Sequence, residues 1–382
     1  MVKYSKNKPF WLGFIIMIFV LFTSSSLLNF LVDPYGVFRF VELRGFNLNK
    51  EDGIHEQLRY SKAMSIPRVS ANTVIFGTSV VMRGINPADF NNDYGKIYNN
   101  GVYVLRLPEA VKYLERVVKY IKPDNVIYGL DFFTFKSDAK YTGGFKESWT
   151  DQEQLLDLSA LLFGGETFVK SLETVLRNLH SPDLRLDFKK NGYRYDSELI
   201  SNIQNGKDDV SARRDRMINH WSNSFLNAEY PKVNLEYLQE FIDICKENNI
   251  NLKLYISPAH WTYYETIWQI GEWESYESWI RTLTDIADEN SVELFDYSGW
   301  NDITTERMSS EMKYWIDPGH FSSLTGVYII DGINDKYPDN NIKVRLKNET
   351  VESILDDKKK LRREFVLSNR ERVDNVVKNL SQ

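Results

Sequence analysis

Ser79 follows the apolar run Thr73-Val74-Ile75-Phe76, which ends in Gly77-Thr78, so it stands where a buried strand would give way to a turn. Reactive groups in open α/β sheets gather outside the carboxyl ends of the strands. A serine there exposes its hydroxyl and can offer its own backbone N–H to a developing oxyanion. The plainer alternative is a Thr/Ser helix cap after a strand. Asp317-Pro318-Gly319-His320 lies late in the chain, and its inner Pro-Gly pair predicts a type II turn. Such a turn brings a carboxylate beside an imidazole, fixing one tautomer so that the other ring nitrogen can take a proton from a serine. Its plainer alternative is a surface turn with an incidental histidine.

Other residues could serve the same edge. Tyr98-Asn99-Asn100-Gly101 is a polar turn by its Asn-Gly content. His260 follows Ile256-Ser257-Pro258 at the end of another strand and is a rival base, but with no carboxylate nearby in sequence it suits a substrate contact or loop anchor better. Trp261 and Trp315 flank these histidines and are candidates for a sugar platform, with core packing as the competing role. His55, His180 and His220 have no partner pattern. No HExxH, EF-hand or Walker loop is present, so neither metal nor nucleotide cofactor is expected.

The elements that must position these residues alternate. The continuous apolar run 73–76 fits a strand buried on both faces of a parallel sheet, and 126–130, 252–256 and 292–295 read as further strands. Helical stripes lie between them: Ala110, Val111, Leu114, Val117, Val118 and Ile121; then Leu235, Leu238, Phe241, Ile242 and Cys245; then Trp273, Tyr276, Ile280, Leu283 and Ile286. The expected fold is an α/β sandwich of the flavodoxin-like kind with a mainly parallel sheet. Its core would comprise 71–135 and 231–335. An inserted lid or acceptor-binding subdomain would occupy 136–230, marked by Gly143-Gly144, Gly164-Gly165 and Ser181-Pro182. A charged C-terminal extension, 336–382, would be a solvated helix.

From Phe10 to Val32 the chain carries no charge, which is long enough for one transmembrane helix. Lys3, Lys6 and Lys8 precede it, so residues 1–9 would form a cytoplasmic tail, 33–70 a juxtamembrane segment, and the main domain would lie outside the cell membrane. A cleaved signal peptide ending near Thr23–Ser26 is the competing reading, although no A-x-A-like site closes the run. The net charge of −6 argues against nucleic acid as the main partner. Cys245 is the only cysteine, so no intrachain disulfide can form.

Taken together, Ile75-Phe76-Gly77-Thr78-Ser79-Val80-Val81-Met82-Arg83-Gly84-Ile85, Tyr98-Asn99-Asn100-Gly101, Ile127-Tyr128-Gly129-Leu130-Asp131 and Asp317-Pro318-Gly319-His320 resemble the blocks of the SGNH-hydrolase superfamily. The likeness is to its membrane-linked branch of alginate and teichoic-acid modification proteins. Val32-Asp33-Pro34-Tyr35-Gly36 after an apolar helix is similar to members of that branch. The resemblance implies acyl transfer through Ser79, with His320 as base and Asp317 behind it. It places Gly101 in the oxyanion hole with Asn99 or Asn100 assisting, and leaves Arg83 as a further substrate contact. It also implies O-acetyl groups on a cell-surface or exported polysaccharide and a partner membrane O-acyltransferase. Position 78 is threonine where the better-known hydrolases have aspartate. Asp131 stands where they have an oxyanion-donating asparagine, so a loop-orienting role is expected of it, and a non-catalytic glycan-binding or scaffolding protein is the alternative.

Overall fold

The computed structural model describes residues 8–90, 94–136, 138, 140–142, 145–146, 151–180, 188–225 and 232–380. Lys3, Lys6, Gly143, Gly144, Ser181 and Pro182 lie outside the described residues. Two compact units divide the chain. One comprises Met1–Arg68 with Lys146–Lys190, and the other Val69–Phe145 with Asn191–Gln382.

The larger unit is an α/β fold around a six-stranded sheet in the order β2-β1-β3-β4-β5-β8. Its strands are β1 (Thr73–Phe76), β2 (Ile97–Asn99), β3 (Asn125–Leu130), β4 (Asn251–Ile256), β5 (Glu293–Asp296) and β8 (Val344–Leu346). The first five are parallel, the flavodoxin-like order, and β8 closes the edge antiparallel to β5. Val74, Ile75 and Phe76 are wholly buried, as a strand covered on both faces requires. Each contributes about 1.5–3 kcal/mol by leaving water. Ile75 pairs with Asn99 and Ile127, and Leu130 with Ile256, so the carboxyl ends of β1 to β4 finish along one edge. Helix Leu107–Tyr120 connects β2 to β3, and helix Val233–Glu247 precedes β4.

The segment expected as one insertion is divided between the units. Residues 146–190 group with the N-terminal unit, whereas helices Ser197–Gln204 and Val210–Phe225 belong to the sheet unit. The C-terminal residues 336–382 are not a solvated extension. They supply β8 and helices Val351–Ser368 and Arg370–Leu380, which bury Val351, Leu355, Val373 and Val376. Charges in that tail are paired inward. Lys358 lies 3.0 Å from Asp296, and the Arg362 guanidinium donates to Glu265 at 2.8 Å.

A two-stranded hairpin, β6 (Trp315–Asp317) with β7 (His320–Phe321), is set against the short helix Ser79–Gly84 that follows β1. The contact is tight because of glycine. A Cβ on Gly84 would lie 1.9 Å from Cε2 of Phe321, and one on Gly326, in helix Ser323–Ile333, would lie 2.0 Å from the Gly84 carbonyl oxygen. Gly84→Ala should therefore cost about 1–3 kcal/mol through forced overpacking. Gly165→Ala, where a Cβ meets nothing within 4 Å, should stay within about 0.5 kcal/mol of wild type. Denaturant midpoints of the two full-length variants test this contrast.

Candidate active site

β1 ends in Gly77 at φ 155°, where an added Cβ would strike Val81 Cγ2 at 2.2 Å. Only glycine permits this abrupt change from strand to helix. Thr78 then caps the helix: its hydroxyl accepts from the Val80 N–H and donates to Asp131 Oδ2 at 2.6 Å. Ser79 is the first helical residue, and its Oγ lies 3.0 Å from His320 Nε2 across 241 residues of sequence. His320 Nδ1 lies 2.8 Å from Asp317 Oδ1. A carboxylate only accepts, so the Nδ1–H points at Asp317 and Nε2 is left to accept from the serine.

The turn that joins these residues is not type II. That turn needs positive φ at Gly319, and Gly319 is not among the positive-φ glycines. The Gly319 N–H instead donates to Asp317 Oδ1 at 2.8 Å, so the aspartate side chain shapes the loop as well as holding the histidine. Asp317 is buried. Burial alone would raise its pKa, but the charge and hydrogen bond of His320, with Arg83 beyond, hold it at about 2.

The polar turn after β2 has divided duties. Asn99 Nδ2 donates to the Val81 and Ile85 carbonyls at 2.8 and 2.6 Å, tying the Ser79 helix to the sheet. Asn99 Oδ1 accepts the Gly101 N–H at 2.8 Å. The expected oxyanion donors Gly101 and Asn99 are therefore already engaged. Asn100 is wholly buried, yet among the described residues neither atom of its carboxamide has a hydrogen-bond partner. An unmet buried polar group costs about 1–3 kcal/mol, and such groups concentrate where a function is served.

Arg83 is not disposed as a simple substrate contact. Its Nε lies 3.0 Å from Asp196 Oδ2, and its Nη1 lies 3.3 Å from His320 Nδ1 and 3.8 Å from Asp317 Oδ2. Arg194 reaches the other Asp196 oxygen at 2.8 Å, and both guanidiniums stand 5.5 Å from the Tyr103 ring. Sequence reasoning missed Asp196, Arg194 and Tyr103. They carry no motif, and only the fold brings them beside the Ser79 helix.

The remaining candidates are sealed in the core. His260 is 1% exposed; its ring bonds to Thr262 Oγ1 at 2.9 Å and to the Glu306 carbonyl at 3.0 Å, capping helix Trp261–Gln269. Burial pushes its pKa down to about 3. Trp261 packs on Phe365, and Trp315 donates its indole N–H to the Ile303 carbonyl at 2.8 Å. None of the three is a substrate platform, because each is buried in the core, at 1–2% exposure. A small pocket of about 60 Å³ opens next to the residues that flank Ser79 and His320, lined by Val80, Asp131, Phe132, Trp279, Pro318 and Gly319 among others. Among the described residues, no group of three or more His, Cys, Asp or Glu is placed to hold a metal ion.

No protein-family model matches the chain, and no curated protein matches it. Among solved structures, a Bacteroides fragilis protein described as a "putative acylhydrolase" is similar at 11% identity, covering 74% of this chain and 96% of its own, with a TM-score of 0.34. At that level the likeness carries no chemistry, which rests on the geometry above.

Burial raises the Asp131 pKa to about 6, and its hydrogen bond from Thr78 only partly offsets this. The sign follows: between about pH 4 and 6 the unfolded chain releases this proton first, so ionisation disfavours the folded state, fully so above pH 6. Asp131→Asn keeps an acceptor for Thr78 and removes that charge. It should raise stability at pH 7–8 by on the order of 1–3 kcal/mol, with the gain vanishing below pH 4. Denaturation of both proteins across that pH range measures it.

Proposed function

We propose that this chain is a membrane-anchored, extracytoplasmic serine esterase or O-acyltransferase that works on an acylated cell-surface or exported polysaccharide. The observation that carries the proposal is the continuous chain of contacts from Ser79 Oγ to His320 Nε2 at 3.0 Å and from His320 Nδ1 to Asp317 Oδ1 at 2.8 Å. In this reading Ser79 Oγ attacks the acyl carbon as its proton passes to His320 Nε2. Asp317, ionised at any pH well above about 2, stabilises the imidazolium. The tetrahedral intermediate expels the sugar alkoxide, which takes the proton back, and the acyl group remains on Ser79. A water or a second hydroxyl then repeats the sequence in reverse. The chemistry uses protein groups alone.

For the oxyanion, this reading uses the Ser79 N–H, with Asn100, whose buried carboxamide has no hydrogen-bond partner among the described residues, as the proposed second donor. A pocket of about 60 Å³ lined by Val80, Pro318 and Gly319, the sequence neighbours of Ser79 and His320, supports a small acyl group. The polysaccharide, the O-acetyl group and a membrane O-acyltransferase partner rest on the resemblance of the sequence blocks. Retention of the N-terminal helix as an anchor is supported by its last turn, which is built into the fold. Asn47 Nδ2 donates to the Leu31 carbonyl and Lys50 Nζ to the Val32 carbonyl, both at 2.7 Å.

One finding favours the non-catalytic, glycan-binding alternative: the engagement of Gly101 N–H by Asn99 removes an oxyanion donor that the resemblance implies. Fluorophosphonate labelling of the detergent-solubilised full-length protein separates the two. The esterase reading predicts a covalent adduct on Ser79 that Ser79→Ala abolishes. Asn100→Ala should slow labelling about 100-fold or more while the protein remains folded. Absence of labelling in folded wild type, or its persistence in Ser79→Ala, contradicts the proposal.

A further inference from the structure

The N-terminal unit contains a helical hairpin that turns leucines outward on both helices, although Leu161 of the first is buried against Tyr35, Val37 and Met64. Helices Asp151–Phe163 and Gly165–His180 are joined at Gly164. On the first, Gln152, Leu155, Leu156, Ser159, Ala160 and Phe163 form one exposed face at helical spacing. On the second, Val169, Leu172, Leu176 and Leu179 form an exposed stripe, while the buried positions are Thr167, Ser171, Thr174 and Asn178. A water-facing helix hides its leucines and displays its polar residues. Here Leu155, Leu156 and Leu179 are each more than 60% exposed.

The polar residues turned inward make bonds across helices. Asn29 of the apolar helix Lys8–Val32 accepts from Ser171 Oγ at 3.0 Å and donates to the Leu162 carbonyl at 3.0 Å. Asn178 donates to the Asn49 carbonyl and accepts the Asn49 N–H. Small and polar residues bonded between helices, with leucine outside, are the packing mode of proteins surrounded by lipid.

Length gives a second, independent argument. Phe10–Val32 is the apolar span, but it is exposed at every position only from residue 10 to 24; beyond that, Leu27 apart, its residues are partly or wholly covered. At 1.5 Å per residue these cover about 22 Å, against a hydrocarbon core of about 30 Å. The missing ~8 Å, about five residues, must come from the part of the helix around which the hairpin is packed. Phe22 stacks on Phe163 at the hairpin tip with ring centroids 5.1 Å apart, so the exposed apolar surface passes without a break from one to the other.

We propose that the outward face of hairpin 151–180 is immersed in the outer leaflet of the membrane beside the N-terminal helix, making the N-terminal unit a lipid-embedded base rather than a single-helix tether. Helices of 13 and 16 residues are too short to cross the core, but an amphipathic face sinks about 5–10 Å into the interface. The inference rests on Phe10–Val32 spanning the bilayer.

The test uses the full-length protein in lipid nanodiscs whose acyl chains are brominated. Single cysteines are introduced at Leu156, Leu176, Phe19 and Asp356 in a Cys245→Ala background and labelled with a small fluorophore. Brominated chains should quench labels at 156 and 176 as strongly as at 19, leaving 356 bright and open to an aqueous quencher. Quenching at 19 with 156 and 176 behaving like 356 would overturn the hairpin proposal and leave the anchor intact. If 19 is unquenched as well, the spanning helix itself is refuted. Labels at 156 and 176 shielded from both quenchers would show a protein partner or second copy on this face, and also refute the proposal.

Discussion

Ser79 and His320 meet because a helix of six residues is wedged against a two-residue strand with almost no space between them. Phe321, the neighbour of the histidine, occupies the volume that a side chain on Gly84 would need, and Gly326 lies against the Gly84 backbone on the next helix. At the other side Asn99 holds the same helix by two of its carbonyls. Three contacts from distant parts of the chain thus fix one short helix, and with it the direction of the Ser79 hydroxyl. A hydrogen bond of 3.0 Å tolerates little displacement. The chemistry of the site consequently depends on packing between residues that take no part in it.

Charge is distributed around this contact with equal economy. Asp317 faces His320 on one side and Arg83 on the other, and Arg83 is itself held by Asp196. The carboxylate therefore remains ionised although buried. Asp131, at the end of the neighbouring strand, has no cation paired with it among the described residues and bonds to Thr78 instead, so burial shifts it the other way. Two carboxylates at one sheet edge are thus shifted in opposite directions by their surroundings, Asp317 down to about 2 and Asp131 up to about 6.

Much of this arrangement was legible in the sequence. Strands β1, β3, β4 and β5 are short, mostly apolar runs between helical stripes, and Ser79, Asp317 and His320 stand at the positions that such strands and a tight turn imply. The short elements were not legible: β2 and β8 have three residues each, too few for a period to show. The hairpin 151–180 was read only as part of one insertion, 136–230, because glycine and proline pairs mark loops without saying which unit the intervening helices pack against. His260, Trp261 and Trp315 were misjudged for a related reason, since proximity in sequence to a strand end does not reveal that a side chain is sealed behind it. The pairing of Arg83 with Asp196 joins residues far apart in sequence and leaves no local pattern at all.

The central claim is that the Ser79 hydroxyl is activated by His320. Its most direct test is mass spectrometry of the full-length protein after brief exposure to an activated acetyl ester, comparing wild type with His320→Asn. The account predicts acetyl mass on the peptide bearing Ser79 in wild type, appearing slower by about 1,000-fold or more when the imidazole is removed. Acetylation elsewhere, or on Ser79 at an unchanged rate without His320, would contradict it.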